Sequence, residues 1–189
     1  MSVMFEQITT HYKLILVLLS VLTVAALFYR WYYKNCFSLK TRKLVKKISY
    51  DYLENATLDS GLDQYAQFDY ILLTDKGILV VEVKNYSGHI FGANKIDEWT
   101  QIINRKSYKF ANPFFEMSHK IELLRDISHE VHVNGLILFT DEADFPKGCP
   151  ESVIKLAYLK DHYRKLTKQA VPTGMQKTWD LIKRQVQQA

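Results

Sequence analysis

FDYILLTDKGILVVEVKNYSG, residues 68–88, decides the fold. Two apolar runs, FDYILLT and GILVVEVK, flank Asp75-Lys76-Gly77, and a short break containing glycine between runs rich in β-branched residues signals a hairpin. Side chains alternate along a strand, so Val80, Glu82 and Lys84 share one face of the second strand while Val81 and Val83 share the other. On the first strand Asp69 stands on the face of Ile71 and Leu73. Directly opposed residues of an antiparallel pair lie on one face, so Asp69 meets Glu82 or Lys84 only if paired residue numbers sum to 151 or 153. A sum of 152 turns Asp69 away. A glycine bulge at Gly77 is a device that can set the register.

If the three converge, they define a chemistry. Two carboxylates on neighbouring strands offer hard oxygen ligands to Mg²⁺, which keeps several waters and takes substrate phosphate as well. A lysine beside them orients the attacking water and offsets charge developing on phosphate. This is machinery for hydrolysing a phosphodiester. Each residue also has a structural reading: Glu82 and Lys84 as a solvent-facing pair on an edge strand, Asn85 and Gly88 as turn residues, Trp99 as core.

Around the hairpin the chain reads as mixed α and β. Leu44, Val45, Ile48 and Tyr52 recur at helical spacing, which predicts a helix over roughly Leu39 to Leu53. Asn55 to Gln67 has a loop's composition. HIFG reads as a short strand, and residues 94–112 as polar turns around Trp99-Thr100-Gln101. Pro113 suits the first turn of a helix through FFEMSHKIELLRDIS, because the helix amide there lacks a partner anyway. VNGLILFT and VIKLAYL read as further strands, followed by helices near Lys160–Gln169 and Gly174–Gln188.

The N-terminal 33 residues differ. Leu14 to Tyr29, LILVLLSVLTVAALFY, holds sixteen residues without a charge. At 1.5 Å per residue it spans roughly 24 Å, and Trp31, Tyr32 and Tyr33 extend it with interface-seeking rings toward the ~30 Å of a hydrocarbon layer. One transmembrane helix at about 12–33 is the expectation. A cleaved leader using Ala25-Ala26 is disfavoured by the aromatic residues that follow at once and by the single Lys13 before it. A buried core helix would need a larger protein around it.

The net charge of +5 is concentrated beside this segment. Lys34, Lys40, Arg42, Lys43, Lys46 and Lys47 fall within residues 34–47, and from 48 onward acids exceed bases. A basic stretch flanking a span fits anionic lipid and places the C-terminal bulk in the cytoplasm with the N-terminus outside, single-pass in the cell (inner) membrane. It is correspondingly weak as a sign of nucleic-acid binding. Lys95, Arg105, Lys106 and Lys109 form a second basic group able to contact phosphate through charge. Two cysteines, Cys36 and Cys149, fit neither a disulfide framework nor a zinc site. Residues 147–189 form a C-terminal extension.

QFDYILLTDKGILVVEVKNYSGHIFG, residues 67–92, resembles the nuclease-related domain, NERD, whose pattern is an Asp-bearing strand, a Gly turn and a strand ending in E-x-K-N-x-x-G. Trp99-Thr100-Gln101 and Asn112-Pro113 fall where that family has them, and the resemblance covers residues 39–146. It implies an α/β fold with a restriction-endonuclease-like mixed sheet flanked by helices. It further implies catalytic Asp69, Glu82 and Lys84 with Gln101 near them, and Mg²⁺ (or Mn²⁺) held by Asp69 and Glu82. The substrate it implies is nucleic acid, DNA in the first instance, and cutting both strands would call for a homodimer. A nucleic-acid- or protein-binding scaffold at the membrane is the alternative function. The family also carries a glutamate in its first helix within G-x-x-G-E, and SLKTRKLVKK has none; the nearest acids are Asp51 and Glu54.

Overall fold

The structure, a computed structural model, describes residues 2–61, 64–128, 131–163 and 170–188. The chain divides into two compact units, Met1–Thr41 and Arg42–Ala189. Helix α1 (Ser2–Ile48) supplies all of the first unit that is described and the start of the second.

In the first unit every side chain from Leu16 to Tyr29 is exposed. Leu16, Val17, Leu18 and Leu19 are consecutive, so apolar surface faces outward through a full turn rather than along one stripe. The two polar side chains of this stretch are satisfied within the helix. Ser20 Oγ donates to the Val17 carbonyl at 2.7 Å, and Thr23 Oγ1 to the Ser20 carbonyl at 2.8 Å. Among the described residues no helix is long and apolar enough to cross a membrane. The expected span at 12–33 includes Tyr12, Leu14, Ile15, Arg30, Trp31 and Tyr33, whose side chains lie outside the described residues.

In the second unit the helix ends earlier than Tyr52 suggested. Val45 and Ile48 are buried, but Ser49 Oγ turns back to the Val45 carbonyl at 2.7 Å and the Tyr50 amide donates to the Leu73 carbonyl at 2.8 Å. From there the backbone belongs to a sheet. The expected loop at 55–67 is instead strand β1 (Asp51–Gly61) turning into β2 (Gln64–Thr74), paired antiparallel from Asp51↔Leu73 onward. Ala56, Leu58, Ala66 and Phe68 are buried at every second position, an alternation that the Asn, Asp and Gly content obscured.

The main sheet has six strands in the order β10-β1-β2-β3-β7-β9, with β3 (Gly77–Lys84), β7 (Val133–Phe139), β9 (Val153–Lys155) and β10 (Val186–Gln188). β2 and β3 pair antiparallel; β3, β7 and β9 run parallel. Both faces of β3 and β7 are buried, as parallel strands require. Ile71, Leu73, Ile78, Val80, Ile137 and Phe139 join Met117, Leu124 and Trp179 in one cluster, while Leu72, Leu79, Val81, Leu136 and Leu138 are buried on the opposite face.

A second sheet, not foreseen, has the order β6-β5-β4-β8: β4 (Gly88–Phe91), β5 (Glu98–Ile103), β6 (Lys106–Ala111) and β8 (Ala143–Asp144). The fold is therefore mixed α/β with two mixed sheets. Helix α2 (Pro113–Ser128) packs on β7, where Gly135 leaves room: a Cβ there would lie 2.6 Å from Met117 Sδ. The short α3 (Leu159–His162) and the longer α4 (Thr173–Gln185) complete the unit. The helix expected over 160–169 is described only to His162, residues 164–169 lying outside the described set.

Candidate active site

The hairpin register runs from Thr74↔Gly77 to Tyr70↔Val81, a sum of 151, and Asp69 and Glu82 are the residues that follow its last pair on the two strands. Gly77 sits at φ +110°, an angle glycine takes freely, and Thr74↔Gly77 is followed by Leu73↔Ile78 without a register shift, so the register is reached with no bulge there. Asp69 then ends the ladder with its side chain: Oδ2 accepts the Val83 amide at 2.7 Å. Phe68 and Ile71, three residues apart, both join the core cluster, so strict alternation breaks between them, at Asp69. Across the sheet, Asn55 takes φ +50° between the pairs Glu54↔Tyr70 and Ala56↔Phe68.

Glu82 is not the solvent-facing member of an edge pair. β3 is an interior strand, and Glu82 is 3% exposed. A buried carboxylate needs partners, and α2 supplies the first. Lys120 Nζ donates to Glu82 Oε1 at 2.6 Å and to Glu116 Oε1 at 2.7 Å. Lys84 Nζ lies 3.4 Å from Glu116 Oε2 and 3.7 Å from Glu82 Oε2. Two carboxylates and two ammonium groups thus close a ring of alternating charge, in which Lys120 also lies 5.7 Å from the centre of the Phe68 ring.

The ring sets the proton affinities. Burial pushes the Glu82 carboxyl above its ordinary range; Lys120 pulls it back in part, while Asp69 and Glu116 add to the upward push. For Lys120, burial opposes the charge, but hydrogen bonds to Glu116 and Glu82 outweigh it and hold the ammonium above its usual value. Burial also opposes ionisation of Glu116, and Lys120 and Lys84 more than reverse that, leaving it lowered.

Gln101 is positioned differently from Asp69, Glu82 and Lys84. It lies on β5, and its Nε2 donates to the Ser87 carbonyl at 2.7 Å, so it fastens the loop that leaves β3 just after Lys84. Tyr86 in that loop stacks on Phe110 with centroids 4.6 Å apart, and Thr140 Oγ1 donates to its carbonyl at 2.7 Å. Trp99 is core: fully buried, with Nε1 donating to the Ala93 carbonyl at 3.1 Å.

Asp51 and Glu54, the acids nearest the missing first-helix glutamate, are engaged elsewhere. Trp179 Nε1 donates to Asp51 at 2.8 Å, and Glu54 accepts from the Tyr70 hydroxyl at 3.0 Å and pairs with Arg42 at 2.9 Å. Burial and the Glu54 hydrogen bond push the Tyr70 hydroxyl well above its ordinary pKa. The third acid of the cluster is instead Glu116, which sequence reading missed together with Lys120. One signal was there: Lys120 interrupts the apolar stripe Pro113, Met117, Leu124, and a lysine at a core position implies a buried acid opposite.

Asn112-Pro113 has a physical role in holding α2 there. Asn112 Oδ1 accepts the Phe114 amide at 3.0 Å and caps the helix, while Nδ2 reaches the carbonyls of Ala93, Asn94 and Ile96 at 3.3, 3.0 and 2.7 Å. Among the described residues no group of three or more His, Cys, Asp or Glu is arranged to hold a metal ion. Asp69 and Glu82 alone are two hard oxygen donors, the sparse set with which Mg²⁺ commonly binds when water and phosphate complete its shell.

An Asp-bearing strand paired with a strand ending in E-x-K, in a mixed sheet flanked by helices, is the arrangement expected of a nuclease-like α/β domain. The family profile described as "Nuclease-related domain" matches residues 34–140, more than half the chain, and the protein belongs to that family. It is also similar to an uncharacterized protein of Bacillus anthracis, 41% identical over 81 residues. That match covers 39% of this chain and 38% of the relative's length. No solved structure matches the chain.

Proposed function

We propose that the protein is a membrane-anchored nuclease that hydrolyses phosphodiester bonds of DNA with Mg²⁺, Asp69 and Glu82 being the metal's ligands. The observation that supports this reading is the pairing of β2 with β3, whose last pair, Tyr70↔Val81, is followed by Asp69 on one strand and Glu82 on the other, with Lys84 two residues on. Bound there, Mg²⁺ would supply a positive charge for phosphate. Lys84, the more exposed of the two lysines, orients the attacking water and balances charge on the phosphate oxygens. Gln101 holds the loop following Lys84.

Anchoring rests on the exposed apolar turn-by-turn surface of residues 16–29, in which the hydroxyls of Ser20 and Thr23 are already spent on backbone carbonyls. Such a surface is stable in hydrocarbon and costly in water. The basic residues of 34–47 then face anionic headgroups and keep the second unit cytoplasmic.

A second reading has one specific observation in its favour. Lys120 already occupies Glu82 Oε1, where a metal would bind, and a scaffold that holds nucleic acid or a protein partner needs no metal there. Divalent-metal calorimetry on the full chain, with Asp69→Asn alongside, separates the two. Binding in the millimolar range that is lost in the variant, together with cleavage lost in Glu82→Gln and Lys84→Ala, supports the nuclease. Metal-independent binding of nucleic acid without cleavage supports the scaffold.

A further inference from the structure

We infer that the β5–β6 hairpin is a nucleic-acid clamp beside the site, gripping phosphate with Arg105 and Lys106 and stacking a base on Tyr108. The inference rests on the nuclease reading and names the surface that holds its substrate. Ile103 pairs with Lys106, so Asn104-Arg105 is a two-residue loop with φ +51° and +63°. Turns with two positive φ values strongly prefer glycine at the second position, and an arginine there is strained. The chain thus carries a cation at a position where the fold alone would favour glycine, and strain of this kind gathers at functional sites.

Three further observations point the same way. First, the hairpin adjoins the loop that leaves the catalytic strand: Gly88, at φ +81°, approaches so closely that a Cβ would lie 2.5 Å from the Ile102 carbonyl. Second, Gln101 pairs with Tyr108, so both side chains share a face, and Gln101 is fastened to Ser87. Moving outward along that face, buried Trp99 and half-buried Phe110 give way to Gln101 and Tyr108, then to Ile103 and Lys106. Tyr108 is 48% exposed there, a ring left out of the aromatic cluster behind it. Third, Arg105 and Lys106 are exposed and make no ion pair among the described residues, whereas Lys109 lies on the opposite face and is held by Glu98 at 2.8 Å. Free cations beside an exposed ring suit a single strand, which offers phosphates and unstacked bases together.

The test measures binding of the full chain to a short fluorescein-labelled single strand by anisotropy, in chelator so that nothing is cut, across a salt series. Arg105→Gly is expected to raise Tm by relieving the backbone, yet to weaken binding and flatten the salt slope by about 0.7. Arg105→Lys should keep the slope. Tyr108→Ala should weaken binding roughly 5- to 100-fold at one salt concentration, and Tyr108→Trp should restore it. Wild-type affinity in both Arg105→Gly and Tyr108→Ala, from a chain that does bind and cleave, overturns the clamp and leaves the nuclease intact. Failure of the wild type to bind any strand overturns both. Loss of binding to phosphatidylserine vesicles in Arg105→Gly, with strand binding unchanged, would make the hairpin a membrane contact and likewise overturn the clamp.

Discussion

Lys120 Nζ stands 2.6 Å from Glu82 Oε1, both side chains being at most 5% exposed. The pair links α2 to the end of β3 and explains how a carboxylate survives inside an interior strand. Glu116 completes the neutralisation from the same helix, one turn before Lys120, so the helix brings a cation and an anion together. The cluster is nearly neutral apart from Asp69, and a substrate bringing negative phosphate would require added positive charge.

Removing Lys120 leaves Glu82 buried without its main partner. Lys120→Met is expected to cost about 3–5 kcal/mol near neutral pH, as other broken buried pairs do. The sign with pH follows from Glu82, whose folded-state affinity for a proton is already above the ordinary value of 4.5 and rises further in the variant. A group raised on folding contributes stability below its unfolded pKa and loses it as pH rises through the folded pKa. The deficit of Lys120→Met should therefore be small near pH 4.5 and grow above it. Urea unfolding at a series of pH values reads it, and a deficit independent of pH would contradict the pairing.

Lys84→Ala should behave in the opposite manner. Its side chain is 21% exposed, and its contacts of 3.4 and 3.7 Å are long. Truncation is expected to cost no more than about 1 kcal/mol. If Lys84 orients the attacking water, cleavage should nonetheless fall by about 10²-fold or more. Tm and cleavage rate measured on one preparation separate the two roles; a parallel loss of both would make Lys84 structural.

Gly77→Ala tests the turn that sets the register. The residue holds φ +110°, and an added Cβ would lie 2.3 Å from the His132 carbonyl oxygen, a backbone atom that cannot rotate away. The Ile78 amide also donates to that carbonyl at 2.8 Å, so relief would break a link between β3 and the approach to β7. A loss of about 2–4 kcal/mol is expected. Thermal unfolding measures it directly, and a change within about 0.5 kcal/mol would show that the turn has slack.

How much of this was legible in residues 68–88 depends on which interactions are local. Alternation made a shared face for Asp69 and Glu82 conditional on a register sum of 151 or 153, and the choice of sum stayed open because a hairpin's register is fixed by its turn geometry. The β1 strand was missed because Asn55, Asp59 and Gly61 look like loop; its Leu53, Ala56 and Leu58 are buried only once β2 and β10 pair beside them. The second sheet was missed for a similar reason. β6, KSYKFA, is an exposed edge strand whose lysines hide its alternation. Glu116 and Lys120 reach the site through a contact across more than thirty residues, beyond any local periodicity. The Asn112-Pro113 pair was visible as a motif, but its reason, three carbonyls and a helix cap served by one side chain, exists only in three dimensions.

Asp69 carries two duties that substitution can pull apart. Its Oδ2 accepts the Val83 amide and so ends the β2–β3 ladder, while its charge works against ionisation of Glu82. Asp69→Asn keeps an oxygen for the amide and removes the charge, so its stability should stay within about 1 kcal/mol of wild type. By removing a like charge, it also eases ionisation of Glu82. Asp69→Ala leaves the Val83 amide unpaired and should cost about 1–3 kcal/mol. Both variants should lose Mg²⁺ binding equally if Asp69 is a metal ligand, because neither offers a carboxylate. Calorimetric titration paired with urea unfolding gives the two readings. Metal binding retained in Asp69→Asn would leave the Val83 hydrogen bond as the residue's purpose and transfer the metal, if there is one, to Glu82 and Glu116.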